Sequence, residues 1–586
     1  MPSFWGRLFG GKGNASDEIL IPSAKVKERN EHGYYKMTCP YCLASFNVWE
    51  MPFRATHFGS VAPVSAPKAK ASSYASKGSS QRTVEAPASD TPASAMGCFP
   101  AETDAKLAAF YQRRNVANLA VLGKVLTLFE PDSADNESKF DGEGIAAVKV
   151  YGSNEWVPVT ALERHNLRHK AIIRIRDTYG NESQDRLCPH CHNSMSRDAG
   201  LYPNYTIMFV GNTYSGKTVY KIRLLYELYQ SGMLGNISVK GLSTSGKVDG
   251  KDALSIPDLY DQTFGSFYRG SKDAIVDPTQ IEYIAPLTFP LTKNGIPVAL
   301  ITFYDFPGEA LWKSNQAEYA PFMHEVERRM NELDGIIFLL DTSTVPEIMD
   351  AVPDHLLPKK STMTELDDSV PKTIPQILAV FREKFITADM ESQGDGRVNI
   401  PFSYVFSKSD YLKVSVEQVR RAVQLEPGSY TYKAMRDVLP FLQNPPVCVT
   451  NWEETGLAQK REELQEEGLY SAENWARIRM DYIEQRKNQH TCVDMANILR
   501  SHDELMHIFK SKMGQNLAAT PRSLLFATSA IGVPVSSNAN QAIPEAPSIR
   551  LTEPLEYLLW QFGLIDHDET GLDEADKNML KNLRTK

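Results

Sequence analysis

The stretch Ile207–Tyr220, IMFVGNTYSGKTVY, limits what this chain can fold into more than any other. An apolar run ends abruptly at Gly211, a short loop follows, and Gly216-Lys217-Thr218 opens a helical pattern. A buried strand must run into a tight turn, and a helix must leave it. That order belongs to an α/β protein with a largely parallel sheet, because parallel neighbours need crossover helices.

The glycine spacing is GxxxxGK[ST], and its chemistry suits phosphate. The backbone N–H groups of Gly211, Asn212, Thr213, Tyr214, Ser215 and Gly216 can converge on phosphate oxygens, which demands residues that tolerate tight turns and close approach. The helix N-terminus adds its dipole. Lys217 supplies a point charge for the outer phosphates, and the Thr218 hydroxyl is suited to Mg²⁺.

Further buried strands are expected at Thr206–Val210, Pro297–Tyr304, Gly335–Leu340, Ser403–Phe406 and Leu524–Thr528. Helical patterns lie between them, with insertions at about 343–400 and 411–520. The second insertion contains alternating charges suited to an exposed helical surface. At 586 residues the chain is too long for one core. A net charge of −9 argues against binding nucleic acid through bulk charge. No run is long and apolar enough to span a bilayer, and no secretory signal is evident at the N-terminus. Phe4, Trp5, Leu8 and Phe9 are candidates for peripheral membrane or partner contact, against the simpler expectation of a frayed end. Seven cysteines do not make a disulfide framework, so a reducing cytoplasm is the expected setting.

The order of motifs after the loop narrows the ligand. Asp305-Phe306-Pro307-Gly308 ends a strand, where a carboxylate can reach the Mg²⁺ shell through water and the Gly308 N–H can sense a γ-phosphate. Thr279, in DPTQIEY, lies between the loop and Asp305 and could close over Mg²⁺ and the γ-phosphate. In Ser407-Lys408-Ser409-Asp410, the lysine could lie over a base. The Asp410 carboxylate could accept from guanine N1–H and N2–H₂, a donor pair adenine lacks. Ser529 and Ala530 lie in a later loop near that base. Each fragment alone is an ordinary loop; together and in order they resemble the P-loop GTPases of the translation-factor and Ras-like class. The resemblance covers about residues 204–345, 400–412 and 522–535, with DPTQIEY similar to switch I and DFPGE to switch II. It implies GTP and GDP as ligands, Mg²⁺ held by Thr218, Thr279 and Asp305, and catalysis involving Lys217, Thr279 and Glu309. Two departures matter. Ser407 stands where the family prefers Asn or Thr, and Glu309 stands where Ras-like proteins carry the Gln that positions water. No arginine is well placed as a finger in cis, so slow turnover helped by a partner is expected.

Cys39-Pro-Tyr-Cys42 and Cys188-Pro-His-Cys191 each form a knuckle able to aim two thiolates at one metal. Two knuckles complete a tetrahedral Cys₄ zinc site. About 145 residues separate them, so the site would be split by an insertion. A redox CxxC, or two half-sites completed by His190 or His192, are the alternatives. Cys98, Cys448 and Cys492 lack a partner at such spacing. A CPxC knuckle just before the phosphate loop, with the terminal PLEYLLWQFGLI helix, resembles the bacterial double-GTPase proteins of the second type. That likeness implies a multi-component system with an activating partner or a second GTPase. The terminal helix is more simply read as docked on the core.

The expected layout is then a zinc ribbon whose first half is 1–58, a disordered Ala/Ser/Pro-rich linker at 59–104, and a small α+β insertion at 105–187. The second half of the ribbon lies at 188–199, and a GTPase domain occupies 200–586. A helix is expected over 104–128 and strands at Ala146–Tyr151 and Ala171–Arg176. The competing functions are an ATPase with another base contact, a nucleotide-bound scaffold that never hydrolyses, and a zinc-ribbon adaptor.

Overall fold

A computed structural model describes residues 27–30, 33–55, 99–100, 104–113, 124–125, 127–130, 145–150, 156–164, 172–177, 182–212, 215–230, 232–233, 236–243, 255–269, 286–308, 320, 332–350, 352–357, 373–385, 398, 400–415, 460, 463–471, 477–478, 481, 492–535, 546–569 and 571–585.

The N-terminal part is β-rich. β1 (Met37–Thr38) and β2 (Ser45–Phe46) form a hairpin across the first knuckle. β3 (Phe53–Ala55) follows, then β4 (Phe99–Pro100) and helix α1 (Ala105–Gln112). β5 (Lys124–Val125), β6 (Thr127–Glu130), β7 (Ile145–Val150), β8 (Trp156–Arg164), β9 (Ile172–Asp177), β10 (Glu182–Ser183) and β11 (Asp185–Arg186) complete it. Seven of these strands make an antiparallel sheet in the order β10-β9-β8-β7-β6-β3-β11. β3 therefore joins the first segment to the strands of 127–186 in one sheet.

The helix expected over 104–128 is shorter than expected. Asp104 caps α1 by accepting from the Lys106 and Leu107 N–H groups, which fixes its start. Beyond residue 113 the chain is again described at 124, where it is strand, and Leu119 and Leu122 lie outside the described residues. Gly123 and the β-branched Val125 and Thr127 disfavour helix, and β5 and β6 satisfy their backbones by pairing with β4, β3 and β7.

The C-terminal part is α/β. Its strands are β12 (Asn204–Gly211), β13 (Ile237–Val239), β14 (Leu287–Lys293), β15 (Ile296–Asp305), β16 (Gly335–Asp341), β17 (Phe402–Ser407) and β18 (Ser523–Ala527). The order is β13-β14-β15-β12-β16-β17-β18. The β15, β12, β16, β17 and β18 neighbours are parallel, and the β13–β14–β15 meander is antiparallel. The main helices are α2 (Lys217–Gln230), α3 (Ile256–Arg269), α4 (Ile374–Phe385), α5 (Met495–Ala519), α6 (Glu553–Gln561) and α7 (Glu574–Thr585).

The parallel strands are apolar on both faces because both faces are covered. Met208, Val210, Ile336, Phe338, Leu340, Tyr404 and Phe406 pack on one side, with Leu378 and Phe381 of α4 and Phe509 and Met513 of α5. Ile207, Phe209, Ile337, Leu339, Val405, Leu524 and Phe526 pack on the other, with Leu224 and Leu228 of α2 and Leu558 and Leu559 of α6. The period of two is what sends alternate residues to opposite cores. The C-terminal segment is docked as its apolar pattern suggests. Trp560 is fully buried, and Arg584 of α7 lies 4.2 Å from its ring centroid.

α5 lies within the expected 411–520 insertion but serves the sheet directly. It packs on β18 and α4 and sends Ile498 and Leu499 to one core, Leu505 and Phe509 to the other. Among the described residues, no helix is long and apolar enough to cross a membrane.

Candidate nucleotide and metal sites

Five loops leave the C-terminal edge of the parallel strands: after β12, β15, β16, β17 and β18. β15 and β16 lie on opposite sides of β12, so successive connections run to either side of the first strand. Ligands of open α/β sheets bind at such a reversal.

The loop after β12 is held by sterics and by Lys217. Gly211 has φ 155°, and a Cβ there would sit 2.5 Å from the Leu339 carbonyl oxygen of the adjacent strand. Glycine is required at that point by the closeness of β16. Gly216 has φ 84° with open space around it, so its requirement is conformational. The Ser215 N–H donates to the Asn212 carbonyl at 3.1 Å. Lys217 Nζ donates to the carbonyls of Gly211 at 2.8 Å and Asn212 at 3.0 Å. Burial lowers its pKa to about 8, against an upward pull from Asp305 and a further lowering by Lys221. Thr218 follows as the second residue of α2.

Asp305 ends β15 in register with Phe209, directly beside β12. It is 1% exposed, its Oδ2 accepts from Lys221 Nζ at 2.7 Å, and its Oδ1 has no hydrogen-bond partner among the described residues. The buried hydroxyls of Ser215, Thr342, Ser409 and Thr528 are likewise unmatched, all on segments at the C-terminal ends of these strands. A group of unsatisfied polar atoms at this edge suits a ligand. Gly308, three residues after Asp305, is helical.

The loop after β17 is tied to the loop after β12. Ser407 Oγ donates to the Ser215 carbonyl at 2.8 Å and approaches the Leu340 carbonyl at 3.3 Å. Lys408 adopts φ 56°, and its Nζ donates to Asp341 Oδ2 at 2.6 Å. Asp341, at the end of β16, also accepts from the Ser343 N–H at 2.9 Å and Ser343 Oγ at 2.6 Å. Sequence reading missed Asp341; the signal was its position as the last residue of an apolar strand, FLLD. Asp410 lies in the helical residues 409–415 and is 4% exposed. Burial raises its pKa, and a hydrogen bond from Ser529 opposes that rise. Ser529 pairs with Ile549 through both backbone groups, and its Oγ accepts from the Gly532 N–H at 2.8 Å. Ala530 is partly buried against the core. The structure thus brings Ser407, Lys408, Asp410 and Ser529 to the same edge as Gly211, Ser215, Lys217 and Asp305. Thr213, Tyr214, Thr279 and Glu309 lie outside the described residues.

The second site is a four-cysteine cluster. The sulfurs of Cys39, Cys42, Cys188 and Cys191 all lie within 4.8 Å of one another and are buried. Cys39 Sγ is 3.7 Å from Cys191 Sγ, and Cys42 Sγ is 3.8 Å from Cys188 Sγ. These separations are too long for disulfides, and Zn–S bonds of about 2.3 Å in a tetrahedron imply S···S edges near ~3.8 Å. The Tyr41 N–H donates to Cys39 Sγ at 3.4 Å and the His190 N–H to Cys188 Sγ at 3.4 Å. Burial pushes the Cys39 and Cys191 thiols up, while hydrogen bonds from the other three sulfurs pull Cys42 down. A divalent cation would remove that conflict by stabilising all four as thiolates. Cys98 and Cys448 lie outside the described residues, and Cys492 is not part of the cluster.

No protein-family model matches the chain, and no curated protein matches it. Among solved structures, the crystal structure of the S. cerevisiae Ski7 GTPase-like domain, bound to GTP, is similar at 13% identity with a TM-score of 0.18. The match covers 39% of this chain and 41% of that one, so the chain spans well under half of that domain. A likeness at that level carries no inference about this chain's ligand.

Proposed function

We propose that this chain is a guanine-nucleotide-binding protein that hydrolyses GTP slowly and whose output is a conformation read by a protein partner. The observation that carries the reading is the Ser407–Ser215 hydrogen bond. It joins the segment suited to a base, Lys408 to Asp410, to the segment suited to phosphates, Gly211 to Thr218.

The proposed roles draw on the placement of the described residues and, for Thr279 and Glu309, on the sequence resemblance. The backbone N–H groups after Gly211 would receive the phosphates, and Lys217 would exchange its two carbonyl partners for phosphate oxygens. Asp410 would accept from the guanine edge; its burial makes a mismatched base costly, since the carboxylate would then lack partners. Lys408 and Ser529 would flank the base. Thr218, Thr279 and Asp305 would hold Mg²⁺, and the unmatched Asp305 Oδ1 fits that assignment. A divalent cation bound there supplies charge neutralisation on the phosphates. The reaction would be in-line attack of water on the γ-phosphate, with Glu309 near the water and Gly308 sensing the terminal phosphate. The Cys₄ cluster would hold zinc and supply folding energy to the small N-terminal part.

A scaffold that binds nucleotide without hydrolysing it is the second reading, favoured by Glu309 standing where a neutral Gln would orient water. The kinship with double-GTPase proteins, an activating partner and a cytoplasmic setting belong to the same proposal. The test is the nucleotide and metal retained by the purified protein. Guanine nucleotide and about one zinc per chain support the reading; adenine nucleotide, or none after supplementation with GTP and Mg²⁺, contradicts it.

A further inference from the structure

The two knuckles of the Cys₄ cluster are built alike and anchored differently. In each, the turn is closed by the carbonyl of the first cysteine. The Leu43 N–H donates to the Cys39 carbonyl at 2.9 Å, and the His192 N–H donates to the Cys188 carbonyl at 2.9 Å. The Cys39 N–H donates to the Ala44 carbonyl at 2.8 Å, and the Cys188 N–H donates to the Asn193 carbonyl at 2.9 Å. Leu43 and His192 both adopt φ 55°. A side chain with a Cβ is disfavoured there, so something outside each turn must hold it.

For the first knuckle that anchor is apolar. Leu43 is 2% exposed and belongs to the core cluster of the α/β sheet that includes Met208, Val210 and Phe306. For the second knuckle it is polar and comes from α1. His192 Nδ1 lies 2.9 and 2.8 Å from the two carboxylate oxygens of Asp104, with both side chains fully buried. Tyr111, one helix length later, donates from its hydroxyl to Asn193 Oδ1 at 2.9 Å. Asn193 Nδ2 in turn donates to Cys191 Sγ at 3.3 Å. Lys106 Nζ donates to the Pro189 carbonyl at 3.0 Å. Three side chains along one helix therefore grip three residues of one knuckle, and one of those links ends on a sulfur.

We propose that Asp104 and Tyr111 are positioning residues for the Cys₄ metal. Through His192 and Asn193 they hold the Cys188–Cys191 knuckle in its left-handed turn and aim an amide N–H at the Cys191 sulfur. This rests on the metal reading given above and is independent of the nucleotide reading. Helix α1 is the outer shell of the site, and the metal is the point at which α1, the first knuckle and the α/β core are fastened together. An N–H directed at a thiolate stabilises it against protonation and lowers its charge donation to the metal. Partners behind metal ligands typically alter affinity by about 10–100-fold when removed.

The test uses the full-length protein loaded with Zn²⁺ and, separately, Co²⁺. Metal affinity is read by chelator competition, and the thiolate-to-cobalt charge-transfer band reports the sulfur environment. Four variants are compared: Asp104→Asn, which keeps an acceptor for the α1 cap; Tyr111→Phe; Asn193→Ala; and His192→Asn, whose side chain tolerates positive φ. The expected result is a loss of affinity of about 10-fold or more in each. Asn193→Ala should also shift the charge-transfer band, and Tyr111→Phe should shift it in the same direction but less. Thermal unfolding of the α/β part should be unchanged, which separates positioning from general destabilisation. Affinities within about 2-fold of the parent for Asp104→Asn and Tyr111→Phe overturn the proposal, as does an unshifted band in Asn193→Ala. If the parent protein itself binds neither metal, the metal reading falls and this inference with it; if the parent binds metal and the variants bind it as tightly, the inference alone falls.

Discussion

The Ser407 hydroxyl donates to the Ser215 carbonyl at 2.8 Å, joining two loops that lie 192 residues apart in the chain. A neutral hydrogen bond contributes roughly 1 kcal/mol net. Ser407→Ala is therefore expected to weaken GTP binding by about 5-fold, while Ser407→Thr, which keeps the hydroxyl, should stay near the parent. Titration calorimetry with GTP reads both. Equal affinity in all three proteins would show that the two loops do not act together.

The two loop glycines should respond differently to alanine. At Gly211 the added Cβ meets the Leu339 carbonyl oxygen at 2.5 Å, and backbone of a central strand cannot move aside cheaply. At Gly216 nothing lies within 4 Å, and the cost is the positive φ alone, about 1 kcal/mol. Gly211→Ala should lower stability measurably more than Gly216→Ala in denaturant unfolding. The reverse order would contradict a close approach of Leu339 to Gly211 as the reason for that glycine.

Lys217 gives the nucleotide affinity a pH limit. Burial lowers its pKa to about 8 in the free protein, whereas phosphate oxygens around Nζ would raise it. Below pH 8 the lysine is already charged and binding costs no proton. Above pH 8 the free protein has lost that proton, and binding must recover it. GTP affinity should fall by up to about 10-fold per pH unit above 8. Proton uptake measured by calorimetry in buffers of different ionisation enthalpy should appear in the same range and be absent in Lys217→Met.

Glu556 makes stability depend on pH with a definite sign. Burial, reinforced by Glu553, raises its pKa to about 8, against a Thr552 hydrogen bond that lowers it. The folded state then holds a proton that the unfolded state loses above its ordinary value of 4.5. Its contribution to stability is fully present below that value and is lost as pH rises toward about 8. Glu556→Gln should leave Tm unchanged near pH 4 and raise it relative to the parent above pH 8. A raised Tm at both ends would point to packing instead of titration.

Much of the α/β part was legible because parallel strands are apolar on both faces and stand out as unbroken runs: Thr206–Val210 and Gly335–Leu340 fall inside observed strands, and Leu524–Thr528 overruns β18 by one residue. The CxxC pairs were legible because spacing alone aims two sulfurs at one point, and all four sulfurs are together. The helix expected over 104–128 was right at its start and misread at its far end. Its apolar residues fit a helical period, but Asp104 sets the start and strand pairing by β5 and β6 takes over further on. Neither β3's place beside β6 and β11 nor the clasp of Asp104 on His192 has a local signature. Both depend on contacts between residues far apart in the chain, which no window of sequence displays. Asp341 carries a positional signal at the end of its apolar strand, but its pairing has none, because its partner Lys408 lies 67 residues away.

The central claim is that the buried Asp410 selects the base. Titration calorimetry of GTP, ITP and ATP against the parent and Asp410→Ala tests it most directly. The parent should bind GTP most tightly, ITP less for want of the 2-amino group, and ATP at least about 100-fold more weakly. Asp410→Ala should bring the three together by losing GTP affinity. A parent that binds ATP as well as GTP, or a variant that still prefers GTP, contradicts the account.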